Sequence, residues 1–368
     1  MTNTVKAVVM AGGRGERFWP ASTPDRPKQF IDLTGGGTLI QQTVNRLAQI
    51  IPFRDIFVVT AASHVDLAQT QLPQLPRRNF IVEPVGRDTA PCVGLASIWL
   101  EKFDPEATVL VVAADHFIPD QERFCDIAQA GINFAAKSGG LVTFGIKPTR
   151  PETGYGYIEL GELSSYSETE PVHRARRFVE KPNAAIAADY MASGRFLWNA
   201  GMFVWSLRAI REEIERHLPE LHNGLEELAC CPTVEELQAK LPEHFPRLPK
   251  ISIDFGVMER SDRVFVIPSD FRWDDLGSWT ALARLRTPDR DGNVVKGLVL
   301  TEDCRNVMVE ANGGRLVAAL GVSDIIVVET EHAVLVCAAD RTQDIRRLAL
   351  KAQETATAAR EPEPLKAV

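Results

Sequence analysis

The segment Val5-Lys-Ala-Val-Val-Met-Ala-Gly-Gly-Arg-Gly-Glu-Arg-Phe-Trp-Pro20 decides the fold. Val5–Met10 is a short apolar run rich in valine, which reads as a strand covered on both faces. Glycines at 12, 13 and 15 follow at once. Such a stretch lets backbone N–H groups close around an anion. Arg17 and Lys28 lie in the same loop, and a triphosphate needs that combination of close-packed amides and point charges. The segment fails the dinucleotide fingerprint, because Phe18 stands where the third glycine belongs. It also fails the P-loop pattern, since no Lys-Ser or Lys-Thr follows the glycines. The plain alternative is an ordinary Gly-rich turn with surface charges.

Working outward, Asp55–Thr60, Asn79–Val82, Thr108–Ala113 and Leu141–Ile146 read as further buried strands. Leu39, Ile40, Val44, Leu47 and Ile51 keep helical spacing behind Thr38, a good N-cap. Glu122–Ser138 reads as a second helix, stopped by Gly139-Gly140. This alternation predicts an α/β fold with an open, mostly parallel, Rossmann-like sheet and right-handed crossovers. Ligands on such a sheet sit at the carboxyl ends of its strands.

Tyr155–Leu160, Arg174–Val179 and Met202–Trp205 continue the strand pattern. Ser206–Leu218 and the capping box Thr233-Val-Glu-Glu236 mark helices between and after them. From about residue 290 the pattern turns to short strands: Val294–Leu300, Asn306–Glu310, Arg315–Leu320, Ile325–Glu329 and Val334–Cys337. Their spacing points to a small C-terminal β module, a β-helix fragment without a strict hexapeptide repeat. A terminal helix from Arg341 to about Arg360 and a Glu-Pro-Glu-Pro tail close the chain. The expected division is a catalytic domain over 1–288 and a β-rich domain over 289–368.

The chain has 368 residues, 45% hydrophobic and 24% charged, enough for a sizeable core without disulfide or metal staples. Six cysteines without a C-x-x-C pair point to a reducing, cytoplasmic setting. The net charge of −8 gives no general attraction to nucleic acid or to an anionic membrane. No apolar run reaches the ~18 residues of a membrane span. The strand at Val5 leaves no room for a signal peptide.

Further motifs follow in order: Glu83-Pro-Val-Gly-Arg-Asp-Thr-Ala-Pro91, Ala113-Ala-Asp-His116, Gly154-Tyr-Gly156, Phe178-Val-Glu-Lys-Pro182, Trp198-Asn-Ala-Gly201, Ile253-Asp-Phe-Gly-Val-Met-Glu259 and Trp273-Asp-Asp-Leu-Gly277. With the glycine loop and Pro27-Lys28, they resemble the sugar-phosphate nucleotidyltransferase family. The likeness is greatest to its guanylyltransferases acting on mannose 1-phosphate, and it covers about residues 5–280. Longer bifunctional members carry a cupin-type isomerase domain, and nothing in these residues implies that second activity.

Each motif also has a physical reading. Asp115 ends a buried strand at the edge of the expected crevice, where a carboxylate suits Mg²⁺, a hard ion preferring oxygen ligands. A turn or cap residue is its plain alternative. The resemblance implies that Asp115 and Asp275 together grip one Mg²⁺, with Asp274 the neighbouring candidate. It implies nucleotide binding by Ala11, Gly12, Gly13, Gly15, Glu83, Arg87 and Thr89, with guanine read by the 83–91 segment together with Ala11 and Gly12. The residue types alone do not tell guanine from another base. Lys181 reads as a clamp on the sugar phosphate, or as a solvated strand-end lysine. Glu180 and Asn199 would accept from sugar hydroxyls, and Gly154 and Gly156 would admit the ring closely. Asp254 and Glu259 are weaker candidates.

The implied reaction passes GMP from GTP to mannose 1-phosphate, with Arg17 and Lys28 as the catalytic cations. A sister enzyme with another base or sugar, or a non-catalytic nucleotide-sugar-binding relative, are the rival readings. The β module and last helix offer surfaces for a homodimer.

Overall fold

In a computed structural model of the chain, residues 4–13 and 15–358 are described. The Glu361–Pro364 tail lies outside them. The chain forms two compact units interleaved in sequence: Met1–Gly12 with Ile40–Asp275, and Gly13–Leu39 with Leu276–Val368.

The first unit follows the expected strand–helix alternation. Its elements are β1 (Val5–Ala11), α1 (Leu39–Leu47), β2 (Ile56–Ala61), α2 (Val65–Gln71), β3 (Phe80–Glu83), α3 (Thr89–Glu101), β4 (Thr108–Ala113), α4 (Gln121–Ser138) and β5 (Leu141–Ile146). Then come β6 (Tyr157–Ser167), β7 (Glu170–Val179), α5 (Ala184–Ser193), β8 (Phe196–Ser206), α6 (Leu207–His217), α7 (Pro219–Ala229), α8 (Val234–His244) and β9 (Val264–Ser269).

These strands form one nine-stranded sheet in the order β3-β2-β1-β4-β8-β5-β9-β7-β6. β1 pairs in parallel with β2 and β4, and β5 with β9. The expected α/β architecture is therefore present, with β8 entering antiparallel between β4 and β5. β1, β2 and β4 are buried almost throughout, as strands covered on both faces must be.

Local signals account for the helix ends. Gly139 takes the left-handed conformation that closes α4, at φ 65°. The Ser206 and Thr233 side chains cap α6 and α8 by accepting from Ala209 N and Glu236 N. α3 had no counterpart in the helical patterns read from sequence, and its burial explains why. Ala90 to Leu100 is enclosed on every side, so α3 shows no polar stripe. β8 begins earlier than its apolar run, so Trp198–Gly201 lies within a strand.

In the second unit, α9 (Trp279–Arg284) precedes β10 (Val294–Lys296), β11 (Val299–Glu302), β12 (Met308–Ala311), β13 (Val317–Leu320), β14 (Ile325–Glu329) and β15 (Val334–Ala338). β10, β12 and β14 stack in parallel, as do β11 and β13, which is the coil-on-coil pairing of a β-helix. The single strand expected over Val294–Leu300 is two. Gly297, at φ 93°, turns the corner between β10 and β11. Val307, Val309 and Val327 fill the inside. A 3-10 turn over Ala339–Asp344 leads into α10 (Ile345–Ala358). Among the described residues no helix is long and apolar enough to cross a membrane.

Candidate active site

A cavity of about 230 Å³ opens in the first unit beside Met10 and Ala113, at the carboxyl ends of β1 and β4. That is the edge where an α/β sheet takes its ligands. Gly154, Gly156, Glu180, Asn199 and Asp275 all line it, and the sequence motifs named each of them. Thr89, Tyr155, Asp254 and Trp273 complete the polar and aromatic wall.

The Trp273-Asp-Asp register is distinct in the structure. Asp274 turns inward: it is 5% exposed, and its backbone bridges to Phe117. Asp275 faces the cavity and accepts from the Tyr155 hydroxyl at 2.9 Å. Burial, then the Asp275 and Asp274 carboxylates, raise Tyr155 above the ordinary phenol range, so it stays a protonated donor. Asp115 lies two residues past the end of β4 and is half-buried. Trp273 Nε1 donates to His116 Nδ1 at 3.2 Å, which makes that nitrogen an acceptor. Among the described residues no three or more His, Cys, Asp or Glu side chains gather as a metal cluster. Asp115 and Asp275 each offer only oxygen atoms, the donor type that a hard ion such as Mg²⁺ prefers.

The wall around Glu180 is built from β7, β8 and the turn after Ile253. Glu180 and Lys181 pair at 2.6 Å just beyond β7, with Lys181 in a left-handed backbone conformation at φ 44°. A methyl at Gly156 would lie 2.6 Å from Glu180 Oε2, so a larger residue there would push that carboxylate aside. Asn199 Nδ2 donates to Asp254 at 2.7 Å, while its Oδ1 accepts from Gly201 N at 3.1 Å. Asn199 therefore has its acceptor engaged, and the group it keeps for a ligand is an amide hydrogen.

At the end of β3, Glu83 is 5% exposed and its Oε1 has no hydrogen-bond partner. Burial raises its carboxyl to about 7, against a smaller opposing effect of the Cys92 thiol bonded to it. A methyl on Gly12 would stand 3.6 Å from Glu83 Oε2, so the ends of β1 and β3 meet there. Ala11 is buried, with its carbonyl taking the Thr60 hydroxyl at 3.3 Å. The Arg87 Nε is buried in the loop before α3. Asp88 caps α3, and Thr89 Oγ1 accepts from Ile253 N at 2.8 Å.

Gly13, Gly15, Arg17 and Lys28 belong to the second unit. Gly15 sits at φ 59°, and a Cβ there would meet Lys28 Cβ at 2.4 Å, so glycine is required on both counts. Lys28 is 6% exposed and donates to the Leu276 carbonyl at 3.1 Å. Arg17 is exposed and donates to the Gly277 carbonyl at 3.1 Å. Gln29 fixes Gly13 through its carbonyl at 2.9 Å. Arg346 on α10 pairs with Glu16 of this loop at 2.6 Å.

Residues 6–291 match the Nucleotidyl transferase family. The chain belongs to that family. Residues 297–351 match the MannoseP isomerase/GMP-like beta-helix domain, in agreement with the coiled second unit. The enzyme is 38% identical over 357 residues to the mannose-1-phosphate guanylyltransferase of Salmonella montevideo, covering 94% of this chain and 74% of the relative. It is also 38% identical over 347 residues to the alginate biosynthesis protein AlgA of Pseudomonas aeruginosa, covering 93% of this chain and 70% of that protein. The crystal structure of mannose-1-phosphate geranyltransferase from Thermus thermophilus matches with a TM-score of 0.84 at 38% identity, covering 95% of this chain and 99% of that one.

Sequence reasoning missed Tyr155 as a partner of Asp275, and it missed Arg150, whose guanidinium lies 4.9 Å from the Trp198 ring centre and 3.8 Å from Asp274. No motif marks either role, because both depend on contacts distant in sequence.

Proposed function

We propose that the enzyme transfers GMP from GTP to α-D-mannose 1-phosphate, giving GDP-mannose and pyrophosphate in the cytoplasm. In this reading residues 1–288 form the catalytic domain and 289–368 a β-rich companion. The observation that carries the base assignment is Glu83, a buried carboxyl with an unpartnered oxygen at the carboxyl end of β3. An ionised carboxylate only accepts hydrogen bonds. Guanine offers two adjacent donors, its N1–H and its exocyclic amine, whereas adenine's edge alternates donor and acceptor. The names of the relatives support the same base and sugar.

The sugar-phosphate oxygen attacks the α-phosphorus in line. The new P–O bond forms as the bond to the β-phosphate oxygen breaks, and pyrophosphate leaves on the opposite side. A phosphate monoester is largely ionised at neutral pH, so no side chain has to take a proton. The protein's work is positioning and charge compensation. Arg17 stabilises charge on the β- and γ-phosphates. Lys28 holds the phosphate chain near the reacting centre, with the Gly13 and Gly15 amides around it. Ala11, Gly12, Glu83, Arg87 and Thr89 seat the nucleoside. Lys181 holds the attacking phosphate against repulsion from the triphosphate, while Gly154, Gly156, Glu180 and Asn199 seat the sugar. Asp115 and Asp275 would hold Mg²⁺, which supplies charge compensation on the phosphates when bound.

Pyrophosphate release measured with GTP, ITP and ATP tests the base assignment, because inosine lacks the exocyclic amine. The expected order is GTP, then ITP weakened by at least tenfold in kcat/KM, with ATP lower still. Equal use of ITP and GTP would contradict it.

A further inference from the structure

The sugar side of the cavity holds a group that the reaction scheme above leaves without a task. Asp254 opens the short helical turn Asp254–Met258 and lines the cavity beside Asn199. Its Oδ1 accepts from Asn199 Nδ2 at 2.7 Å. Asn199 Oδ1 is taken from the other side by Gly201 N at 3.1 Å. These two bonds allow one orientation of the amide. They leave Asn199 with one N–H to offer and Asp254 with Oδ2, an acceptor.

A donor and an acceptor held side by side on a cavity wall match two neighbouring hydroxyls of a pyranose, one accepting and one donating. Glu180, the other carboxylate of this wall, already has Oε1 on Lys181. We propose that Asp254 reads a ring hydroxyl of the sugar 1-phosphate, with Asn199 locked by it as the donor to the adjacent one, and that this pair selects the sugar. The inference rests on the reaction proposed above and names the residue that makes it sugar-specific.

Charge around Asp254 agrees with that task. Enclosure in the protein, then the Glu180 carboxylate, raise it to about 6; Asn199 and the cation of Lys181 pull the other way. Glu259, further along the same turn, is likewise raised by desolvation and by Glu180. A raised acid is neutral below its pKa and ionised above it. The acceptor is therefore present at pH 7.5 and largely lost at pH 5.5.

The test pairs Asp254→Asn with 2-deoxy, 3-deoxy and 4-deoxy analogues of mannose 1-phosphate. Asp254→Asn keeps the shape, should raise KM for mannose 1-phosphate about 10- to 100-fold, and should leave KM for GTP within about twofold. Against one deoxy analogue the variant should lose little further, because the hydroxyl it reads is already gone. The wild-type KM for the sugar phosphate should rise from pH 7.5 to 5.5 more steeply than that of Asp254→Asn, the phosphate's own ionisation being common to both. Penalties that multiply for all three analogues, or an equal rise in KM for GTP, would overturn the proposal. If Asp254→Asn does not fold, Asn199→Ala should show the same coupling to the adjacent hydroxyl, and its absence overturns the proposal equally. Titration calorimetry of mannose 1-phosphate separates the two readings. Wild-type protein that binds the sugar phosphate, is weakened by Asp254→Asn, yet never turns over GTP contradicts the reaction and upholds the sugar reader.

Discussion

Tyr155 and Asp275 are joined by a 2.9 Å hydrogen bond across 120 positions of sequence. The bond fixes the one carboxylate of the Trp-Asp-Asp run that faces the cavity. In the proposed reaction Asp275 is a magnesium ligand, and a neutral phenol that orients it without competing for the metal is a suitable partner. Tyr155→Phe removes the donor and keeps the ring. A bond to a charged acceptor contributes about 1.5–3 kcal/mol. The Mg²⁺ concentration for half-maximal velocity should rise by roughly tenfold in the folded variant. An unchanged Mg²⁺ titration would remove Asp275 from the metal site.

Arg17 lies exposed, with its guanidinium on the Gly277 carbonyl, so its side chain does little for packing. Arg17→Ala should keep the thermal midpoint and lower turnover by about 10²–10³, the usual effect of losing one transition-state donor. Near-normal turnover in the folded variant would take the charge-stabilising role away from Arg17.

Lys181 is held at φ 44° beside Glu180, with 62% of its side chain exposed. A strained backbone next to Glu180, which lines the cavity, is where a functional group is expected. Lys181→Ala should raise KM for the sugar phosphate by at least tenfold and alter KM for GTP little. Steady-state kinetics with each substrate varied in turn checks this, and an effect confined to GTP places Lys181 on the other substrate.

Burial raises Glu83 to about 7 in the free enzyme. Below that pH it is protonated and presents an O–H to guanine's donors; above it, it accepts both. GTP affinity should therefore rise between pH 6 and 8, with KM for GTP falling by up to about tenfold. Glu83→Gln should flatten that dependence beyond what GTP's own ionisation contributes, and lose preference for GTP over ITP. A pH profile for KM identical in wild type and variant would contradict the base-reading role.

The first five strands were legible because each is a short, mostly apolar and buried run. α3 was not, since Ala90 to Leu100 packs on all sides and has no face to reveal. Nor was the early start of β8, which is set by neighbouring strands rather than by local residues. At the candidate site, Glu180, Asn199 and Asp275 stand in recognisable motifs and line one cavity. What they touch was not readable. Tyr155 meets Asp275 and Asp254 meets Asn199 only after the sheet has assembled. The unpaired oxygen of Glu83 exists only because folding buries the end of β3.

Pyrophosphate release with Mg²⁺, crossing the four nucleoside triphosphates with mannose and glucose 1-phosphates, decides which reaction this enzyme performs. Turnover is expected with GTP and mannose 1-phosphate, with GDP-mannose as the nucleotide product and little or none from the other pairs. Turnover with a different base or sugar would contradict the assignment of Glu83 or of the sugar wall. Folded protein that binds GTP and is silent in every combination would contradict the reaction itself.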